Sequence, residues 1–203
     1  AVPECGTKFV RGMLEDSRPQ TFSDLVRISG FSHGTNVWLD NAQDLIKNGT
    51  CKLNEAISTR DDVMNFLIHR GMDRKHSFFV MENVRKGKGI EKRNKQGQAT
   101  TEFEVEMREN NIPEWFIESC KKISYLFPRA HAVAYVMMAF RIAWFKVYHP
   151  LAFYAAYFSI RAKAFDLRIM TGDLKTQLTE FNRIKALDRA ASPKDKDLMS
   201  ALE

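Results

Sequence analysis

The sequence predicts an all-α protein. Apolar residues recur at spacings of three and four along the whole chain, β-branched alternation is almost absent, and glycine is sparse, at 10 of 203 residues. A 44% hydrophobic share with 28% charged residues is ordinary for a globular protein, and the length suits one well-buried domain, which excludes a disordered chain. The longest element is expected at about 128–149, in FPRAHAVAYVMMAFRIAWFKVYHP. Pro128 fits a first helical position, where its missing N–H costs nothing, and Pro150 ends the run. Nearly every face between them is apolar, the mark of a helix enclosed by other protein. The expected architecture is therefore a multi-helix domain around one long buried helix. A membrane span is not expected, because Arg129, His131, Arg141 and Lys146 leave no charge-free run approaching ~18 residues.

Taken in order, a first helix is predicted over about 6–15, with Phe9, Val10, Met13 and Leu14 on its apolar side and Pro19 beyond it. A second opens at Thr21 or Ser23 and is expected to end at Gly30. That ending puts Ser29, Ser32, His33, Gly34, Thr35 and Asn36 in a donor-rich loop, anchored to the core by Trp38 and Leu39. Short helices follow at about 41–47, closed by Asn48 and Gly49, and at 53–57. Ser58 or Thr59 caps the next, RDDVMNFLIHR, which runs to Gly71. Asp73 caps another through about Arg85, with Phe78, Phe79, Met81 and Val84 inward. Helices resume over 101–110 and after Pro113, where Trp115, Phe116, Cys120, Ile123 and Leu126 form a core face and Lys121 and Lys122 face out. Beyond the long helix, LAFYAAYFSIRAKAF packs as a helix, and two more are expected across 174–187 and after Pro193.

Charge and cysteines narrow the function classes. The excess of 31 Lys and Arg over 25 Asp and Glu, net +6, permits a nucleic-acid or phosphate partner. Three separated cysteines, Cys5, Cys51 and Cys120, suggest reduced thiols in a cytoplasmic protein. No His or Cys spacing resembles a zinc site. No secretion signal is visible, and the missing initiator Met and abrupt end at Glu203 suggest an excised domain.

Three stretches carry candidate chemistry. At the start of the long helix, Arg129 lies in the first turn, where free N–H groups favour anions, and His131 and Tyr135 share a face beside Phe127. That set suits a nucleotide, with phosphate at the amides and a base on a ring; the structural alternative is a hydrophobic staple, a solvated arginine and a core histidine. Arg60 stands in the first turn of its helix, the unfavourable end for a cation, which invites either an anionic partner or a nearby carboxylate. Between Arg85 and Lys95 there are six basic residues, one acid and two glycines. The run begins at a helix C-terminus and continues along backbone able to follow phosphates, or it is simply a solvated loop.

These motifs together resemble a known family. FPRAHAVAY (127–135), FRIAWFKVYHP (140–150) and LAFYAAYF (151–158) resemble the fingers segment of the bacterial replicative DNA polymerase III α subunit. Upstream, FSDLVRISGFSHGTNVW (22–38), NAQDLIKNGT (41–50), Arg60–Asp62 and VRKGKG (84–89) resemble its PolC type in the same order. The likeness covers residues 1 to about 165, implying a fingers domain there and a looser helical connector over 166–203 towards the next module.

The resemblance implies a part of a DNA-directed DNA polymerase, a nucleotidyltransferase, working with primer-template DNA, deoxynucleoside triphosphates, and the palm and duplex-binding domains. It implies that Ser29 and His33 border the incoming nucleotide, that Arg60, Arg85, Lys86 and Lys88 meet phosphates, and that Phe127, Arg129, His131 and Tyr135 line the nucleotide or templating-base pocket. Lys92, Arg93 and Lys95 lie in a loop longer than usual there, expected to be mobile. No catalytic or metal-binding carboxylate set is found in this chain, so Mg²⁺ is expected in the palm. The alternatives are a basic all-helical nucleic-acid-binding adaptor and a helical protein-interaction scaffold.

Overall fold

The computed structural model describes residues 2–93, 97 and 99–202 and is all-α, as the periodicity predicts. Contacts divide the chain into two compact units, Glu4–Met138 and Ala139–Glu203 with Ala1–Pro3.

In the larger unit, α1 (Lys8–Ser17) opens at Thr7, whose hydroxyl accepts the Val10 amide at 3.2 Å. The helix α2 (Phe22–His33) opens with a reciprocal capping box between Thr21 and Asp24. It does not stop at Gly30. A Cβ on Gly30 would stand 2.5 Å from the Ser58 carbonyl oxygen, so this glycine serves close packing inside a continuing helix rather than termination. Ser29, Ser32 and His33 are therefore helical, not loop residues. A wide turn at Trp38–Ala42, with Asp40 at φ 55, leads into α3 (Gln43–Lys47). The helix expected at 53–57 is absent and turns replace it.

Thr59 and Asp62 form the capping box of α4 (Arg60–His69), and the Asp73 carboxylate caps α5 (Arg74–Arg85). A two-residue antiparallel ladder pairs β1 (Lys92–Arg93) with β2 (Ala99–Thr100). Lys95, in the loop expected to be mobile, lies outside the described residues. The unit continues with α6 (Glu102–Glu109) and α7 (Glu114–Lys122). Its core joins Met13, Ile28, Phe31, Val63, Val84 and Phe116, each contributing about 1.5 to 3 kcal/mol by burial. Trp38 is buried as expected, whereas Phe9, Leu39, Phe78 and Phe79 are exposed, because the apolar stripes of their elements are narrower than the sequence suggests.

The long helix α8 (Arg129–Tyr148) forms where predicted, but it is not a buried core helix. Ala132, Val136 and Ala139 are covered, while Phe140, Trp144, Phe145, Val147 and Tyr148 are each 46% exposed or more. An all-apolar perimeter says that a helix is not built to face water everywhere; it does not say which surface covers it. By length and composition α8 is also apolar enough to cross a membrane.

The second unit continues from α8 into α9 (Pro150–Ala156), with Pro150 at its first position, and a wide turn at Tyr157–Arg161. After α10 (Leu167–Met170), the two expected helices α11 (Leu174–Leu187) and α12 (Pro193–Leu202) pack around Ile184, Ala191 and Leu198.

Candidate functional site

Four residues between α7 and α8, Ser124–Phe127, gather the candidate residues. The Tyr125 carbonyl accepts the Thr35 amide at 3.0 Å, and the Ser124 amide donates to the Thr35 carbonyl at 3.0 Å. The Leu126 amide donates to the Arg85 carbonyl at 3.3 Å, and the Phe127 carbonyl accepts the Arg60 amide at 3.0 Å. The C-terminal ends of α2 and α5 and the start of α4 are thus fixed to one strand-like segment by backbone bonds. Gly87, at φ 69, makes this possible for α5, since a Cβ there would stand 2.5 Å from the Ser124 carbonyl oxygen.

A row of rings runs along this junction. His33 and Phe127 have centroids 5.1 Å apart, Phe127 and His131 meet edge-on at 4.5 Å, and His131 and Tyr135 stack at 4.2 Å with 25° between planes. Tyr125 meets Phe127 edge-on at 6.0 Å. Continuation of α2 matters here, because Ser29 and His33 become one turn apart. His33 Nδ1 lies 2.8 Å from the Ser29 carbonyl oxygen, and Nε2 lies 2.9 Å from the Glu4 carboxylate. Ser29 is buried, and its hydroxyl has no hydrogen-bond partner among the described residues. Tyr135 is 38% exposed, so its ring is accessible.

The cations divide into free and engaged. Arg60 is half-buried and Lys88 exposed, and neither side chain has an ion pair or hydrogen bond among the described residues. Arg85 is held by both oxygens of Glu82, and Lys86 lies 2.9 Å from the same carboxylate. The Arg85 hydrogen bonds, opposed by burial and helped by Lys86, pull the Glu82 carboxyl down to about 2.

Arg129 does not join the ring row. Its amide donates to Asp61 at 2.8 Å, and its guanidinium pairs with the buried Asp62. One Asp62 oxygen accepts the Ser58 and Thr59 amides at 3.1 and 2.8 Å and their hydroxyls at 2.7 and 3.0 Å, while Arg27 lies 3.5 Å from the other. Burial pushes the Asp62 carboxyl up, but Arg27, Ser58 and Arg129 outweigh it and hold the group below its ordinary value. The anions at the start of α8 are therefore the chain's own.

Among the described residues no three His, Cys, Asp or Glu side chains converge, and Asp61 and Asp62 are already engaged, so these residues do not offer a seat for Mg²⁺. Burial raises the thiols of Cys5, Cys51 and Cys120, that of Cys51 to about 11, which disfavours the thiolate form.

Sequence reasoning missed Glu4, Arg27, Glu82 and the role of Asp62. Two of these were visible: Asp62 stands three residues after Thr59, the capping-box spacing, and Glu82 stands three and four before Arg85 and Lys86. Glu4 and Arg27 act across long sequence separations and left no local signal.

The chain matches the model of the bacterial DNA polymerase III alpha subunit finger domain over residues 1–111. It is 55% identical over 202 residues to the DNA polymerase III PolC-type of Caldanaerobacter subterraneus subsp. tengcongensis, and 56% over 205 residues to that of Thermotoga maritima. It is 53% identical over 202 residues to that of Bacillus subtilis. Each match covers 100% of this chain but only 13–14% of the relative.

Proposed function

Because the chain belongs to the finger-domain family of the bacterial DNA polymerase III alpha subunit, we propose that it binds the incoming deoxynucleoside triphosphate and the templating base pair of a PolC-type replicative polymerase. The observation that carries this reading is the Ser124–Phe127 segment, whose backbone bonds tie the unpaired Arg60 and the end of α5 to an accessible ring row. Arg60 and Lys88 take the phosphates, with Arg85 and Lys86 beside them. Phe127, His131 and Tyr135 offer flat faces to a base, a contact worth about 1 to 3 kcal/mol per stacked ring. His33 and Ser29 close the row, the buried Ser29 hydroxyl keeping hydrogen-bonding capacity in reserve. Arg129 braces the start of α8 through Asp62 rather than touching the nucleotide.

The domain assignment follows the same reading: residues 1–165 act as fingers and 166–203 as a connector, in a cytoplasmic enzyme working on primer-template DNA. The metal carboxylates that stabilise the attacking and leaving oxygens of phosphoryl transfer come from other parts of the polypeptide. Steady-state primer extension by the full-length polypeptide tests this function. A raised nucleotide KM in Arg60→Ala and Phe127→Leu, with unchanged melting, is the expected result; unchanged kinetics in both would overturn it.

A further inference from the structure

We propose that Glu82 is a positioning residue for the triphosphate: it grips one edge of the Arg85 guanidinium so that the other edge is presented to phosphate. This rests on the reading above that the cations at the end of α5 meet the nucleotide.

The geometry is specific. Arg85 Nε and Nη2 go to the two oxygens of Glu82, the second at 2.8 Å, which makes the pair bidentate. A guanidinium has five N–H donors in a fixed plane, and this grip uses two along one edge. Both Nη1 donors and one on Nη2 remain, the edge suited to two phosphate oxygens. Glu82 also takes Lys86 at 2.9 Å, so one carboxylate orders two long side chains. The Arg85 carbonyl accepts the Leu126 amide, one residue before the proposed base platform at Phe127. Held this way, the free edge is fixed relative to the rings, and less side-chain freedom is lost when a triphosphate arrives.

A carboxylate among cations has an opposite reading, in which it screens them and weakens anion binding. The two roles predict opposite signs. In the full-length polypeptide, Glu82→Gln keeps the shape but replaces one oxygen by an amide that repels the guanidinium. Positioning predicts that the nucleotide KM rises on the order of tenfold with kcat little changed, measured well below the melting temperature. Arg85→Ala should raise KM at least as much, and adding Glu82→Gln to it should change little further, because the two act as a unit.

A KM that falls or stays constant in Glu82→Gln, while Arg85→Ala raises it, overturns the positioning role and leaves the phosphate site standing. An undiminished effect of Glu82→Gln in the Arg85→Ala background overturns it as well. If Arg85→Ala itself leaves KM unchanged, the phosphate reading of this helix end falls too.

Discussion

The carbonyl oxygen of Phe127 accepts the backbone amide of Arg60 at 3.0 Å, although 67 positions separate them (127 − 60). That single bond sets the register between a free cation at the start of α4 and a ring ahead of α8. Each would be an ordinary surface feature alone; together they define a surface with a charged end and a flat end.

Loss of a free cation at this site should cost nucleotide binding without costing stability. Arg60→Ala and Lys88→Ala are each expected to lose about 1.5 to 3 kcal/mol in kcat/KM for the nucleotide, the size of a charge-assisted contact. Arg129→Ala should show the reverse pattern, a lowered melting temperature because Asp62 keeps only Arg27 as counter-ion, and a smaller kinetic effect. Kinetics and thermal melts of the three variants check this, and a purely kinetic defect in Arg129→Ala would return that residue to the nucleotide pocket.

The ring row separates packing from binding through gentle substitutions. The Tyr135 hydroxyl has no hydrogen-bond partner among the described residues, so Tyr135→Phe should leave the melting temperature unchanged. Any change in nucleotide affinity or selection then reports a direct role. Phe127→Leu trades a flat face for a smaller branched one and should weaken nucleotide use by about 1 to 3 kcal/mol. A large fall in melting temperature with normal kinetics would assign the row to packing.

Asp62 should make stability depend on pH in a defined window. Its folded pKa lies below the ordinary value of 3.8, so the stabilisation is fully present above that value and is lost as pH falls through the lower folded one. Asp62→Asn leaves Arg27 and Arg129 without their counter-ion and should cost about 3 to 5 kcal/mol at neutral pH. Denaturant unfolding followed against pH should show wild type converging towards the variant in acid. Parallel curves throughout the acid range would refute the assignment.

Gly30→Ala should destabilise, against the usual rule. In an ordinary helix interior this change gains about 1 kcal/mol. Here the new Cβ would meet the Ser58 carbonyl oxygen at 2.5 Å, a backbone atom that cannot step aside cheaply. A net loss of about 1 to 3 kcal/mol is expected, read as a lowered denaturation midpoint. A stabilised variant would mean that α2 and the Ser58 turn are not in this contact.

Much of the helical inventory was legible because it rests on local rules. The caps at Thr21, Thr59 and Asp73 lie within four residues of their partners, and Pro128 and Pro150 bound α8 by their ring geometry alone. Gly30 was misjudged for the same reason. A glycine before a polar stretch reads locally as a stop, and only the approach of Ser58 from 28 residues away (58 − 30) shows why it lies inside the helix. Phe78 and Phe79 failed similarly, since spacing shows a face but not its width or its cover.

What the sequence by itself determined was most of the helices, the caps and prolines that open them and the family motifs, all properties of short stretches. What only the tertiary structure decided was which of the cations are free. Arg60, Arg85, Lys86, Lys88 and Arg129 look alike as positive charges in a row of letters. In three dimensions Glu82 holds two of them and Asp62 a third, while Arg60 and Lys88 have no partner among the described residues. The physical reason is that a charge's availability depends on distances of 3 to 4 Å to opposite charges. For Arg129 that distance is set by folding between residues 67 positions apart, which no local pattern encodes.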